Sequence, residues 1–246
     1  MSENKPFLSI LVYGAAGSGK SIFASSFPNA LILDADGGHR FYEAYYPQHT
    51  YVHGSTCLIA LQKAVEQLQT TGELKDSQGR KMDTIIIDSL TNIENLAISN
   101  AKGLNVTNWS SVLYNGKGKK LNYDDWGGVS GSTIAVLTFL RDLPINLVVI
   151  TQIENQSDNG HIKFVPNLVG KGSNEALHFA DIVGFLTVIE TGKGRDRFLH
   201  LSSTSNDNFV AKTRTLQGDL DPIKNPNYNK LISLVTKEEI KLNFED

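Results

Sequence analysis

Short, continuous apolar runs bounded by turn residues recur along the chain: Leu8 to Tyr13, Ala30 to Leu33, Thr84 to Ile87, Asn146 to Ile150 and Asp181 to Ile189. Runs of this length and β-branched content read as strands buried on both faces of a parallel sheet. Between them lie stretches of helical periodicity. These are Lys20 to Phe27, about Cys57 to Thr70 behind a Ser55 or Thr56 cap, and about Ser130 to Leu143, stopped by Pro144. Tyr51-Val52 makes a brief additional strand. Toward the C-terminus the pattern changes: Asp181 to Ile189 and Phe198 to Ser202 flank the turn Thr191-Gly192-Lys193-Gly194, as in a hairpin. Phe209 to Arg214 reads as a last strand with Lys212 and Arg214 on one face, and a helix around Asn229 to Thr236 follows. The expectation is an α/β fold: a mostly parallel central sheet flanked by helices, with antiparallel strands toward the C-terminus.

Three stretches carry no clear period. Gly72 to Lys81 is polar and reads as a surface loop. Asn100 to Gly128 and Ile153 to Asn174 are long for plain connections, which points to function or disorder.

Composition narrows the class. At 246 residues and 40% hydrophobic content the chain can bury one large core, and it is read as a single domain over residues 1–246. A lone cysteine, Cys57, forbids an internal disulfide, and neither a signal peptide nor a membrane-length apolar run is visible. A cytoplasmic protein with no membrane partner is expected. The net charge of −3 argues against a chain coated with basic residues, though charges are screened beyond about 8 Å, so local clusters decide nucleic-acid binding.

The strongest chemistry follows the first strand. Gly14-Ala15-Ala16-Gly17-Ser18-Gly19-Lys20-Ser21 fits G-x-x-x-x-G-K-[ST], the phosphate-binding loop, between a strand and a helix. Backbone N–H groups converge on phosphate oxygens only where no Cβ intervenes, hence Gly14, Gly17 and Gly19 with the small Ser18. Lys20 would reach the β- and γ-phosphates, and the Ser21 hydroxyl would hold Mg²⁺. Thr84-Ile85-Ile86-Ile87-Asp88 has the complementary Walker B form, carrying Asp88 to a strand tip as a magnesium partner.

Other features read two ways. Asp34-Ala35-Asp36-Gly37-Gly38 suits a ligand site at the carboxyl edge of a sheet or an ordinary solvated turn. Gln152 either senses a γ-phosphate or simply ends its strand. Lys102, Lys117, Lys119 and Lys120, interleaved with Trp109, Tyr114 and Tyr123, form either a single-strand binding loop or a solvated one. His161, Lys163, Phe164 and Lys171 lie in the second aperiodic stretch. His161 reads as a surface residue, because no Cys or second His sits at metal-binding spacing.

The order of the phosphate loop, Asp34-Ala35-Asp36-Gly37-Gly38, Thr84 to Ser89, Val148 to Gln152, Ala180 to Val183 and Lys212-Thr213-Arg214 resembles the RecA-type recombinase core. Within it, the order is similar to the small bacteriophage single-strand-annealing ATPases. The resemblance implies an ATP- and Mg²⁺-dependent ATPase that binds single-stranded DNA and promotes annealing or pairing in the cytoplasm of an infected bacterium. It implies Asp36 as the activator of the attacking water, one methylene shorter than the usual glutamate, so that hydrolysis could be slow. It also implies Gln152 as a switch toward the following DNA loop, with Lys163, Phe164 and Lys171. Lys117, Lys119 and Lys120 fall near the other DNA loop. Lys212 and Arg214 match cations that reach a neighbouring subunit's nucleotide. A homo-oligomer, ring or filament, is therefore expected, with a single-stranded-DNA-binding protein as a further partner. Only about seven residues precede the first strand, so the N-terminal extension of larger recombinases is not expected. A helicase-type motor of the same superfamily and a nucleotide-gated module with little turnover are the alternatives.

Overall fold

The structure, a computed structural model, describes residues 7–101, 123–158, 161–168, 177–192, 194–216, 218 and 220–242. The predicted apolar runs form its centre. β1 (Ser9–Tyr13), β2 (Ala30–Asp34), β6 (Thr84–Asp88) and β7 (Asn146–Thr151) are buried along their whole length. With β3 (Thr50–His53) and β10 (Ile182–Thr191) they lie parallel in the order β10-β1-β7-β6-β2-β3. Beyond β10 the pairing turns antiparallel, through β11 (Gly194–His200) and β13 (Ile223–Lys224), while the short β12 (Lys212–Thr213) pairs with the start of β10. This is the expected α/β architecture, a mostly parallel central sheet flanked by helices with antiparallel strands toward the C-terminus.

Helices cover both faces, which is why the strands are apolar throughout. On one face α2 (Thr56–Thr71), α3 (Leu90–Ala101) and α4 (Tyr123–Arg141) pack against Leu11, Leu33, Ile85, Ile87 and Val149. On the other, α1 (Lys20–Ser25) and α5 (Tyr228–Leu242) cover Ile10, Val12, Ile32, Ile86 and Val148. The aligned registers bring the C-terminal ends of four strands into one row: Asp34 opposite Asp88, Asp88 opposite Ile150, and Tyr13 opposite Thr151.

Several boundaries differ from expectation. Helix α3, not foreseen, buries Leu90, Ile93 and Ile98. Helix α4 begins at Tyr123, inside the stretch taken as aperiodic. Gly127, Gly128 and Gly131 dilute its helical signal. Gly72 to Lys81 is not a plain loop: Leu74–Lys75 (β4) pairs with Lys81–Met82 (β5), and Asp76 ties the turn by accepting from the N–H groups of Gln78 and Arg80. The stretch after Gln152 is a hairpin, β8 (Ile153–Asp158) with β9 (His161–Pro166). Of the run Phe209 to Arg214, Lys212–Thr213 joins the main sheet and Phe209 makes a single bridge to Phe164. Among the described residues, no helix is long and apolar enough to cross a membrane.

Candidate functional site

The loop from Gly14 to Lys20 leaves β1 at the row of strand ends and enters α1. Gly17 and Gly19 adopt φ of 76° and 97°, conformations that favour glycine. A Cβ on Gly14 would stand 2.4 Å from the Leu186 carbonyl oxygen, so β10 presses directly on the loop. Arg197 of β11 packs in the same way on Gly19, its Nε 2.4 Å from where a Cβ would be. The hairpin β10–β11 thus braces the loop from outside.

The loop's polar side chains are held in different ways. Ser18 is 2% exposed and its hydroxyl finds no hydrogen-bond partner. Lys20 Nζ folds back to donate to the Gly14 and Ala15 carbonyls, both at 2.9 Å. Burial pushes the Lys20 pKa below its ordinary value, and the Asp88 and Asp36 carboxylates oppose that shift. The Ser21 hydroxyl donates to Asp88 Oδ2 at 2.6 Å. A hydroxyl held on a strand-end carboxylate is the pair that holds Mg²⁺ in phosphate-loop proteins. A Cβ-free cradle, an orphaned hydroxyl, a cation and this pair fit a magnesium nucleotide.

Gly14, Gly17, Lys20, Ser21, Asp36, Asp88 and Gln152 line one cavity of about 440 Å³. Four separate parts of the sequence meet there because four parallel strands end at the same level.

The two acids of the Asp34-Ala35-Asp36 segment have different environments. Asp34 is fully buried and structural. It accepts from the Gly38 and His39 N–H groups at 3.0 and 3.1 Å and from His53 Nδ1 at 2.8 Å. Asp36 is exposed and lines the cavity, accepting from Ser89 Oγ at 2.9 Å and from the Asn92 amide.

Gln152 leaves its side chain exposed, while its backbone is fixed. Its N–H donates to Thr91 Oγ1 at 3.1 Å, its carbonyl accepts from Asn167 N–H at 2.9 Å, and Thr91 Oγ1 donates to the Asn167 carbonyl at 2.8 Å. Both ends of the β8–β9 hairpin are therefore tied to α3, next to Asp88. A second cavity of about 670 Å³, on the other flank of the loop tip, is walled by Phe164, Phe185, Leu186 and Val188.

Other expected residues lie apart. Phe164 stacks on Phe185 with ring centroids at 6.0 Å, in a cluster completed by Phe209, so its ring is committed to packing. Lys163 lies on β9 of the hairpin and is half-buried. Lys212 pairs with Val183 at the level of Leu11, three residues short of Gly14, or roughly 10 Å along the strand. Burial, and Arg214 beside it, lower the Lys212 pKa, while Asp181 opposes them. The Arg214 guanidinium donates to the His178 carbonyl, and its own N–H donates to the Asp181 carbonyl. Arg214 thus sits at the opposite end of the sheet from its own chain's phosphate loop, and Lys212 at mid-strand. Lys117, Lys119, Lys120 and Lys171 lie outside the described residues.

The sequence matches the AAA domain family over residues 7–215. The chain belongs to that family. As an AAA domain it is a P-loop ATPase core, and the match runs from before the phosphate loop to just past Arg214. A KaiC-like protein of the hyperthermophilic archaeon Pyrococcus horikoshii is structurally similar to this AAA domain, with 13% identity and a TM-score of 0.46. The likeness covers 88% of this chain and 84% of that one. No curated protein matches the sequence.

Sequence reasoning missed His39. It is 0% exposed, with Nε2 2.8 Å from Asp88 Oδ2 and Nδ1 3.2 Å from Ser25 Oγ. The only sequence signal was its place just after Gly37-Gly38.

Proposed function

We propose that the protein hydrolyses ATP with Mg²⁺, binds single-stranded DNA and promotes strand annealing or pairing, as its resemblance to phage annealing ATPases implies. The observation that carries the ATPase part is the convergence of Lys20, Ser21, Asp36, Asp88 and Gln152 on one cavity. In this reading Lys20 leaves the Gly14 and Ala15 carbonyls for phosphate oxygens. Ser21 and Asp88 would hold Mg²⁺, which would supply positive charge against the phosphates. Asp36, supported by Ser89 and Asn92, orients the attacking water.

The DNA part is supported by the mechanical path from the cavity. Gln152 is the residue immediately before the β8–β9 hairpin, and Thr91 fastens both hairpin ends beside Asp88. A γ-phosphate that captures the Gln152 side chain pulls on the base of that hairpin. Lys163 on its second strand, with Lys171, Lys117, Lys119 and Lys120, would supply phosphate contacts. Lys212 and Arg214, too far from their own chain's loop, act on the nucleotide of a second copy, so turnover requires a homo-oligomer.

A nucleotide-gated module with slow turnover is favoured by one observation: the short Asp36 carboxylate is already engaged by Ser89 and Asn92. Mobility shift of a labelled oligonucleotide with Mg-ATP, Mg-ADP or no nucleotide tests the proposal. Binding should strengthen with ATP. No binding in any condition refutes the DNA assignment, and equal binding in all three refutes its coupling to the nucleotide.

A further inference from the structure

We propose that His39, held by Ser25, is a positioning residue for the magnesium carboxylate of Asp88; this rests on the reading that Asp88 serves Mg²⁺. His39 is 0% exposed on the short turn Gly38–Phe41 that follows the tip of β2. Its backbone cannot drift. The buried Asp34 carboxylate accepts from the Gly38 N–H with one oxygen and from the His39 N–H with the other.

The ring's proton follows from its neighbours. An ionised carboxylate only accepts, so Nε2, 2.8 Å from Asp88 Oδ2, carries hydrogen. In the neutral ring Nδ1 is then the acceptor, and the Ser25 hydroxyl, 0% exposed and 3.2 Å away, donates to it. Ser25 thereby selects the tautomer that points N–H at Asp88.

The consequence falls on the carboxylate. Oδ2 takes two donors, Ser21 Oγ at 2.6 Å and His39 Nε2 at 2.8 Å, from opposite elements. Two donors on one oxygen fix the rotation of the group that would hold the metal. When Ser21 turns to the metal, the His39 bond remains, so the carboxylate keeps its orientation through binding. Partners of this kind behind a metal-binding group are typically worth about 10- to 100-fold in metal affinity.

The test is calorimetric titration of ADP at increasing Mg²⁺, and in EDTA, on wild type, His39→Ala, His39→Gln and Ser25→Ala, with thermal melts to verify folding. His39→Ala should raise the Mg²⁺ concentration for half-maximal enhancement of ADP binding about 10- to 100-fold. Affinity for ADP in EDTA should stay within about twofold, because phosphate-loop contacts are untouched. His39→Gln, whose amide nitrogen keeps a donor near the position of Nε2, should recover most of the loss. If His39→Ala does not fold, Ser25→Ala carries the test, with a shift in the same direction. An unchanged Mg²⁺ midpoint in a folded variant overturns the proposal, as does equal loss of binding with and without Mg²⁺. If wild type itself shows no Mg²⁺ dependence, the assignment of Asp88 fails and His39's role fails with it.

Discussion

Lys20→Ala probes the phosphate loop at its only cation. In the structure Lys20 Nζ is held by the Gly14 and Ala15 carbonyls at 2.9 Å each, in a partly buried setting that lowers its pKa. Nucleotide binding exchanges these carbonyls for phosphate oxygens. Attraction between the ammonium and one phosphate charge at 4 Å is worth about 4 kcal/mol at an effective dielectric of 20. The carbonyl bonds given up offset about 1.5–3 kcal/mol of it. What remains, about 1–2.5 kcal/mol, corresponds to a roughly 5- to 70-fold weaker binding of Mg-ADP. Calorimetric titration at fixed salt measures this directly. Because Lys20 is only half-buried and packs in no core cluster, the melting temperature should hold within about 3 °C. A folded Lys20→Ala variant that binds ADP within twofold of wild type would refute the assignment of this loop as the phosphate cradle.

Tyr13→Phe tests the anchor beneath the β8–β9 hairpin. The Tyr13 hydroxyl accepts from the Val210 N–H at 2.8 Å and shares its proton between the Val210 and Phe164 carbonyls at 2.7 and 3.1 Å. Its removal should cost about 1–3 kcal/mol and lower the urea midpoint without changing the slope; an unmoved midpoint would contradict this. Asp76 predicts an acid limb. Burial raises its pKa, but bonds from the Arg80 N–H, the Arg80 side chain, the Thr50 hydroxyl and the Gln78 N–H prevail and bring it to about 2 from an ordinary 3.8. A folded value below the unfolded one means stability present above about pH 4 and lost as pH falls toward about 2. Melts of wild type and Asp76→Asn across that window should converge, and parallel curves would count against the assignment.

The parts of the site that depend on local geometry were legible in the sequence. A phosphate loop requires glycines at fixed spacing between strand and helix, and Asp88 ends a run apolar enough to be a central strand. The order of motifs along the chain also fixed which strands carry the ends of the cavity. What was not legible depends on contacts between distant segments. Nothing in the local sequence distinguishes the buried Asp34 from the exposed Asp36, because the difference comes from His53 and from the turn that folds back onto Asp34. His39 becomes meaningful only because β2 and β6 are register partners, bringing its ring to Asp88. The resemblance implies a DNA loop that includes Phe164, yet Phe185 and Phe209, far along the chain, supply its packing. Glycines hide the first turns of helix α4 from the helical period, and polar residues obscure the β8–β9 hairpin, a two-stranded sheet with little core to cover.

We propose above that this cavity hydrolyses ATP in an assembly that responds to DNA. Phosphate release from ATP, with and without a single-stranded oligonucleotide, on wild type and Arg214→Ala, tests it most directly. The expected result is turnover that rises with DNA in wild type and is lost in Arg214→Ala, although Arg214 lies at the far end of its own chain's sheet. Absence of phosphate release under all conditions, by protein that still binds ATP, would contradict the claim.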